Sequence, residues 1–177
     1  MVQQGVIKAV IFDMGGVILQ YKDVGKVVEM ANCVEKFPIL GKAMERDEFS
    51  KHLTTCPYFE SAVKNIRFAG LQTALLTNNF FLDANKTQST VLPNAEEKFD
   101  VVVESCRSGL RKPNADIYQL TMQKLRREPE ECVFVDDLQK NCEMAKALGM
   151  KSVQVTNGNA KEAVEALGDL LGINLLD

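Results

Sequence analysis

The sequence has no tryptophan and a single histidine, His52. One imidazole leaves Ser-His or Cys-His catalysis dependent on that residue alone, and its polar, helix-like surroundings read as surface. The five cysteines (Cys33, Cys56, Cys106, Cys132 and Cys142) are odd in number and show no CxxC spacing. That usage fits a reduced, cytoplasmic compartment. Cys132, ahead of Val133-Phe134-Val135, reads as a small buried hydrophobe rather than a reactive thiol. No apolar stretch approaches the roughly 20 residues of a membrane span. Met1 to Gly5 is polar, and the short apolar run after it stops at Asp13, so no secretory leader is expected. Neither sign of charge dominates: the formal net charge is −3, which offers no broad basic face to nucleic acid or acidic lipid. What is present is ordinary for a globular domain, with 46% hydrophobic and 25% charged residues in a chain of 177. That length suits one domain with a small insertion.

Strand-like and helix-like runs alternate along the chain. Val6 to Phe12, Thr73 to Thr77, Phe99 to Glu104 and Cys132 to Val135 are apolar and rich in β-branched residues, as strands buried on both faces should be. Lys151 to Val155 is a weaker fifth. Helices are expected over Phe59 to Phe68, Asn114 to Arg127 behind Pro113, Leu138 to Leu148 and Ala160 to Leu171, several of them closed by glycine. The pattern predicts an α/β fold, a doubly wound parallel five-stranded sheet with helices on both faces. Ligands of such sheets bind beyond the carboxyl ends of the strands. Residues 21–57 break the rhythm. They read as a small helical insertion (Val24 to Val34, then Lys42 to Leu53), so residues 1–20 and 58–177 form the expected core.

Polar residues close these strands in order. Asp13 follows the first, Thr77 and Asn78 the second, Lys112 lies beyond the third, and Asp136 with Asp137 follows the fourth. Carboxylates, a hydroxyl and an ammonium at one sheet edge suit a doubly charged oxyanion with a hard metal such as Mg2+. Each residue also has a plain alternative. Asp13 before Met14-Gly15 starts a turn, Thr77-Asn78-Asn79 supplies turn and cap chemistry, Lys112 is a solvated loop lysine, and Asp136-Asp137 caps the next helix. Arg107 and Arg111 read as surface charges.

FDMGGV, LLTNN, LRKP and VFVDD, in that order, resemble the four motifs of the haloacid dehalogenase (HAD) superfamily. The subgroup they resemble most is the phosphatase-like domains that front soluble epoxide hydrolase and an acyl-CoA dehydrogenase family member. The similarity extends through FDVVVESCRSGLRKPNADIY and the tail LGINLL. It implies a HAD-like Rossmannoid core and a Mg2+-dependent phosphate-monoester hydrolase. Asp13 would form an aspartyl-phosphate, while Thr77 and the Asn78 backbone hold phosphoryl oxygens and Lys112 pairs with nucleophile and phosphate. Asp13, the Gly15 carbonyl and Asp137 would hold the metal, with Asp136 beside them as partner or alternate ligand. The substrate implied is a small phosphorylated metabolite or a lipid phosphate, and the protein a monomer or homodimer.

Two features depart from the family. Most HAD phosphatases carry an aspartate at the position of Gly15, where it protonates the leaving alcohol and then activates water. Such proton transfer is typically worth about 10²–10⁴ in rate. Its loss points to impaired hydrolysis, or to a weak or inactive relative with a binding or regulatory role. Asp23 and Glu104 are other candidate carboxylates for that role, though no sequence feature sets either at the right distance. Dehalogenation or phosphonate cleavage is the least supported alternative. The second departure is the insertion, which resembles only the first half of the family's helical cap and so predicts a more open site.

Overall fold

The run Ala9–Phe12 has no solvent-exposed residue on either face, which places it at the centre of a sheet rather than at an edge. In the computed structural model, which describes residues 6–22 and 51–176, this run is strand β1. The chain continues through β2 (Leu19–Tyr21), β3 (Leu53–Thr55), α1 (Pro57–Phe68), β4 (Gln72–Thr77), α2 (Ala95–Lys98), β5 (Val101–Glu104), α3 (Ser105–Ser108) and α4 (Ala115–Leu125). It ends with β6 (Cys132–Asp136), α5 (Gln139–Ala147), β7 (Lys151–Gln154) and α6 (Ala160–Leu171). Five strands form one parallel sheet in the order β5-β4-β1-β6-β7, as expected of a doubly wound fold.

Alternate residues of the central strands feed two separate cores. Val10 and Phe12 face Phe59, Ala62 and Ile66 of α1 and Val164 and Leu167 of α6. Ala9 and Ile11 face Ile117, Tyr118 and Leu125 of α4 and Ala145 of α5. Aromatic edges lock both layers: Phe12 meets Phe59 at 6.1 Å between ring centroids, and Tyr118 meets Phe134 at 5.2 Å. From β1 the chain moves to β4 and β5 on one flank, then returns to β6 on the other. The crevice above β1 is therefore the topological switch point, where such sheets open a ligand site.

The differences from the sequence reading are local. β1 begins at Ala9, because Val6 is solvent-exposed. Phe99 is buried just ahead of β5. Leu53, read as the end of a helix, instead lies in β3, which pairs antiparallel with β2. His52 sits in the turn before β3, and its carbonyl accepts the Lys22 N–H at 2.9 Å. A two-stranded ribbon thus roots the insertion, and it stands directly after the Asp13 turn. Both helices expected within the insertion lie in 23–50 or run into it, outside the described residues. Cys132 is fully buried as expected, and Cys56, Cys106, Cys132 and Cys142 are free thiols. Among the described residues no helix is long and apolar enough to cross a membrane.

Phe59 is fully buried between the sheet and α1. Phe59→Ala is expected to cost about 3–5 kcal/mol of stability, read as a lowered urea midpoint at unchanged slope.

Candidate active site

Strand register builds the site. Phe12 pairs with Val135 across β1 and β6, and the ladder runs one step further, the Asp13 N–H donating to the Val135 carbonyl at 2.8 Å. Asp13 consequently stands beside Asp136. On the other flank Phe12 pairs with Leu75, which brings Leu76 and the buried Thr77 alongside.

Lys112 reaches this edge from the loop between α3 and α4. Its ammonium donates to Asp13 Oδ1 at 2.6 Å, to Asp136 Oδ2 at 2.8 Å and to the Leu76 carbonyl at 2.9 Å. Those three bonds use all the donors an ammonium has, and only 3% of the residue is exposed. The ammonium also lies 5.5 Å from the centre of the Phe134 ring. Asn78 holds the lysine backbone: its Nδ2 donates to the Lys112 carbonyl at 3.0 Å, and the Lys112 N–H donates to Asn78 Oδ1 at 2.9 Å. Asp136 is saturated in turn. It accepts the Leu138 N–H at 2.8 Å, and Asn141 Nδ2 lies 3.0 Å from both of its oxygens.

Burial pushes the Asp13 carboxyl above the usual range, and the Asp136 charge adds to this against the opposing pull of Lys112. Burial acts to lower Lys112, but Asp13 and Asp136 together outweigh it and keep the ammonium charged. Asp137, half-buried, is raised by burial and by Asp136. Asp13, Asp136 and Asp137 each offer an oxygen within 4.8 Å of the others. Three carboxylates against one ammonium leave an excess of negative charge. An all-oxygen donor set of that kind fits a hard divalent cation such as Mg2+. With the Asp136 oxygens engaged by Lys112, Leu138 and Asn141, Asp137 is the freer of the adjacent pair.

In the turn after Asp13, neighbouring side chains occupy the space a Cβ would take at positions 15 and 16. Gly16 has φ +77°, and a Cβ there would lie 2.6 Å from Asp137 Cγ, so only glycine suits the position. The Gly16 N–H donates to the Leu19 carbonyl, and the Leu19 N–H donates back to Met14, each at 2.7 Å. This reversal returns β2 over the site. A Cβ on Gly15 would coincide with the Tyr21 hydroxyl oxygen and lie 2.8 Å from Tyr21 Cζ. Burial, and then Asp13, Asp137 and Asp136, raise Tyr21 above the ordinary phenol range, so its hydroxyl stays protonated.

The sequence-predicted residues thus converge, apart from the two spare carboxylates. Glu104 is committed to Asn79 Nδ2 and Arg107 Nε, each at 2.6 Å, in a network that also ties the Asn79 N–H to Ser105 Oγ. Asp23 lies outside the described residues. Arg107 is spent on Glu104, and Arg111 is exposed. Sequence reasoning missed Tyr21, Asn141 and the clamp made by the Asn78 side chain. The one available signal for Tyr21 was its place at the end of the apolar run Val17-Ile18-Leu19 behind two glycines.

The model of the haloacid dehalogenase-like hydrolases matches residues 33–149, well over half of the chain. The chain belongs to that family. It is 43% identical over 119 residues to mouse (Mus musculus) acyl-CoA dehydrogenase family member 10, a match covering 67% of this chain and 11% of that protein. It is 31% identical over 122 residues to pig (Sus scrofa) bifunctional epoxide hydrolase 2, covering 68% of this chain and 21% of that protein. The chain therefore spans only a small part of the length of these two relatives. A sesquiterpene phosphatase from Aspergillus oryzae is 24% identical over 184 residues, covering 86% of this chain and 92% of that one. Among solved structures, a HAD family enzyme from Bacteroides thetaiotaomicron in complex with magnesium and inorganic phosphate superposes with a TM-score of 0.62. It is 20% identical and covers 84% of this chain and 93% of its own.

Lys112→Met would leave Asp13 and Asp136 buried without their counter-charge. Stability at neutral pH is expected to fall by about 3–5 kcal/mol. Asp13, which burial already raises, would then favour the protonated form in the fold, so the deficit should shrink as pH falls through its raised pKa. Urea unfolding of both proteins at pH 7 and pH 5 checks this.

Proposed function

We propose that this HAD-like hydrolase cleaves phosphate monoesters through an aspartyl-phosphate on Asp13. The observation that carries the reading is the Lys112 ammonium seated between Asp13 and Asp136, with Asp137 completing the carboxylate cluster. Asp13 is anchored through Oδ1 and keeps its second oxygen for attack on phosphorus. Lys112 offsets the charge of both carboxylate and phosphate, and its Asn78 clamp fixes where that charge sits. Thr77 and the Asn78 N–H, at the end of β4, are the candidate holders of phosphoryl oxygens. Asp13, Asp137 and the Gly15 carbonyl, with Asp136 beside them, are the candidate Mg2+ ligands. A metal bound there would offset the charge of the phosphate. The magnesium and phosphate of the Bacteroides enzyme and the phosphatase activity named for the Aspergillus relative support the reading.

The substrate class we favour is a small phosphorylated metabolite or a lipid phosphate, handled by a monomer or homodimer whose cap is the short insertion 21–57. The free thiols fit a cytoplasmic location. The second reading is a relative that binds phosphate and metal but turns over slowly, and the lack of a carboxylate at Gly15 favours it.

Phosphate release from p-nitrophenyl phosphate with Mg2+ is expected, and it should fall to background in Asp13→Asn and on addition of EDTA. Turnover in wild type no higher than in Asp13→Asn, across a panel of phosphate monoesters, would overturn the hydrolase reading and leave the binding one. Mg2+ should also raise the melting temperature of the wild type, and Asp137→Asn should reduce that shift.

A further inference from the structure

We propose that the Tyr21 hydroxyl takes over part of the role of the carboxylate missing at position 15, as the hydrogen-bonding group on the leaving-group side of Asp13. This rests on the phosphatase reading of the site. A side chain at position 15 would begin where the Tyr21 oxygen already stands. The space left by Gly15 is therefore filled, and by a group that can both donate and accept a hydrogen bond. The phenol is placed by structure rather than by chance. The Gly15-Gly16 reversal returns the chain, Gly15 bridges Leu19, and Tyr21 pairs with Leu53 across the β2–β3 ribbon. The Cys56 N–H bond to Ile18 and the Lys22 N–H bond to His52, both 2.9 Å, close the two ends of that ribbon. Tyr21 as a whole retains 39% exposure.

In the first half-reaction an Asp13 oxygen forms its bond to phosphorus as the ester P–O bond breaks. The departing oxygen accepts a hydrogen bond from Tyr21 and takes its proton from solvent. In the second, a water aligned on the same hydroxyl attacks, its proton passes to solvent, and phosphate leaves as Asp13 is restored. Tyr21 stays protonated throughout. It stabilises charge on oxygen but is not a proton store, which makes it a partial substitute for a carboxylate. Gly15→Asp alone must then displace the phenol before its carboxylate can act.

Tyr21→Phe removes only the oxygen and keeps the ring in the ribbon. Losing one hydrogen bond to a charged oxygen corresponds to about 10- to 100-fold. The kcat/KM for methyl phosphate, a poor leaving group, is expected to fall by about that factor. The kcat/KM for p-nitrophenyl phosphate, whose leaving group is acidic, should change less than about threefold. Orthovanadate, which can place an oxygen on the leaving side, should bind about tenfold more weakly in Mg2+, with inorganic phosphate affinity and melting temperature unchanged. Equal losses on both esters, or a gain in activity, would overturn the proposal and show the phenol to be a structural prop or a plug. Calorimetric vanadate binding separates the two claims. If neither protein turns over but Tyr21→Phe weakens vanadate alone, the hydrolase reading falls and the Tyr21 placement stands. If wild type turns over and vanadate binds both proteins alike, the Tyr21 inference falls and the hydrolase reading stands.

Discussion

A buried ammonium between two buried carboxylates sets the terms for the whole upper edge of the sheet. Lys112 has given up solvent, and so have Asp13 and Asp136. Burying such charges is costly unless each is paired and its remaining hydrogen-bonding capacity is filled. The surrounding structure supplies that capacity. The Leu76 carbonyl takes the third lysine proton, Asn141 and the Leu138 N–H fill Asp136, and the Asn78 side chain grips the lysine backbone. Three strand ends and one loop must all be in place before the charges balance. The site is consequently a test of correct folding as much as a place for chemistry, and its rigidity suits an enzyme that works by pre-set electrostatics.

The glycine pair after Asp13 has two distinct physical roles. Gly16 allows a left-handed turn and a close approach to Asp137 that any Cβ would block. Gly15 yields its side-chain volume to Tyr21. A residue that looks like a loss in the sequence is thus part of an exchange, in which a carboxylate attached at position 15 is replaced by a phenol brought from position 21. A phenol is a weaker participant than a carboxylate for moving protons, yet it spares an already acidic cluster one more negative charge.

The sheet and its helices were legible because buried parallel strands write themselves as short β-branched runs, and Val10-Ile11-Phe12 and Val133-Phe134-Val135 are of that kind. The ribbon was not legible. Leu19–Tyr21 and Leu53–Thr55 are three residues each and are separated by the insertion, so no local pattern announces their pairing. The helical period read through Leu53 was overridden by that long-range partner. Glu104 shows the converse limit: a carboxylate at a strand end was available to the site on paper, but neighbouring Asn79 and Arg107 claim it.

By itself the sequence determined which chemistries were available and in what order along the chain. Asp13, Thr77, Lys112, Asp136 and Asp137 are the residue types for a phosphate and a hard metal, and their places after successive strand-like runs of a parallel sheet assigned them to one edge. Tertiary structure decided who pairs with whom. Register put Asp13 beside Asp136, the loop carried Lys112 between them, and a turn of two glycines carried Tyr21 into the space beside Gly15. Residue type and spacing are local properties that a sequence records directly. The partner of a buried charge, or the occupant of a vacated volume, depends on segments far apart in the chain, and only packing brings those together.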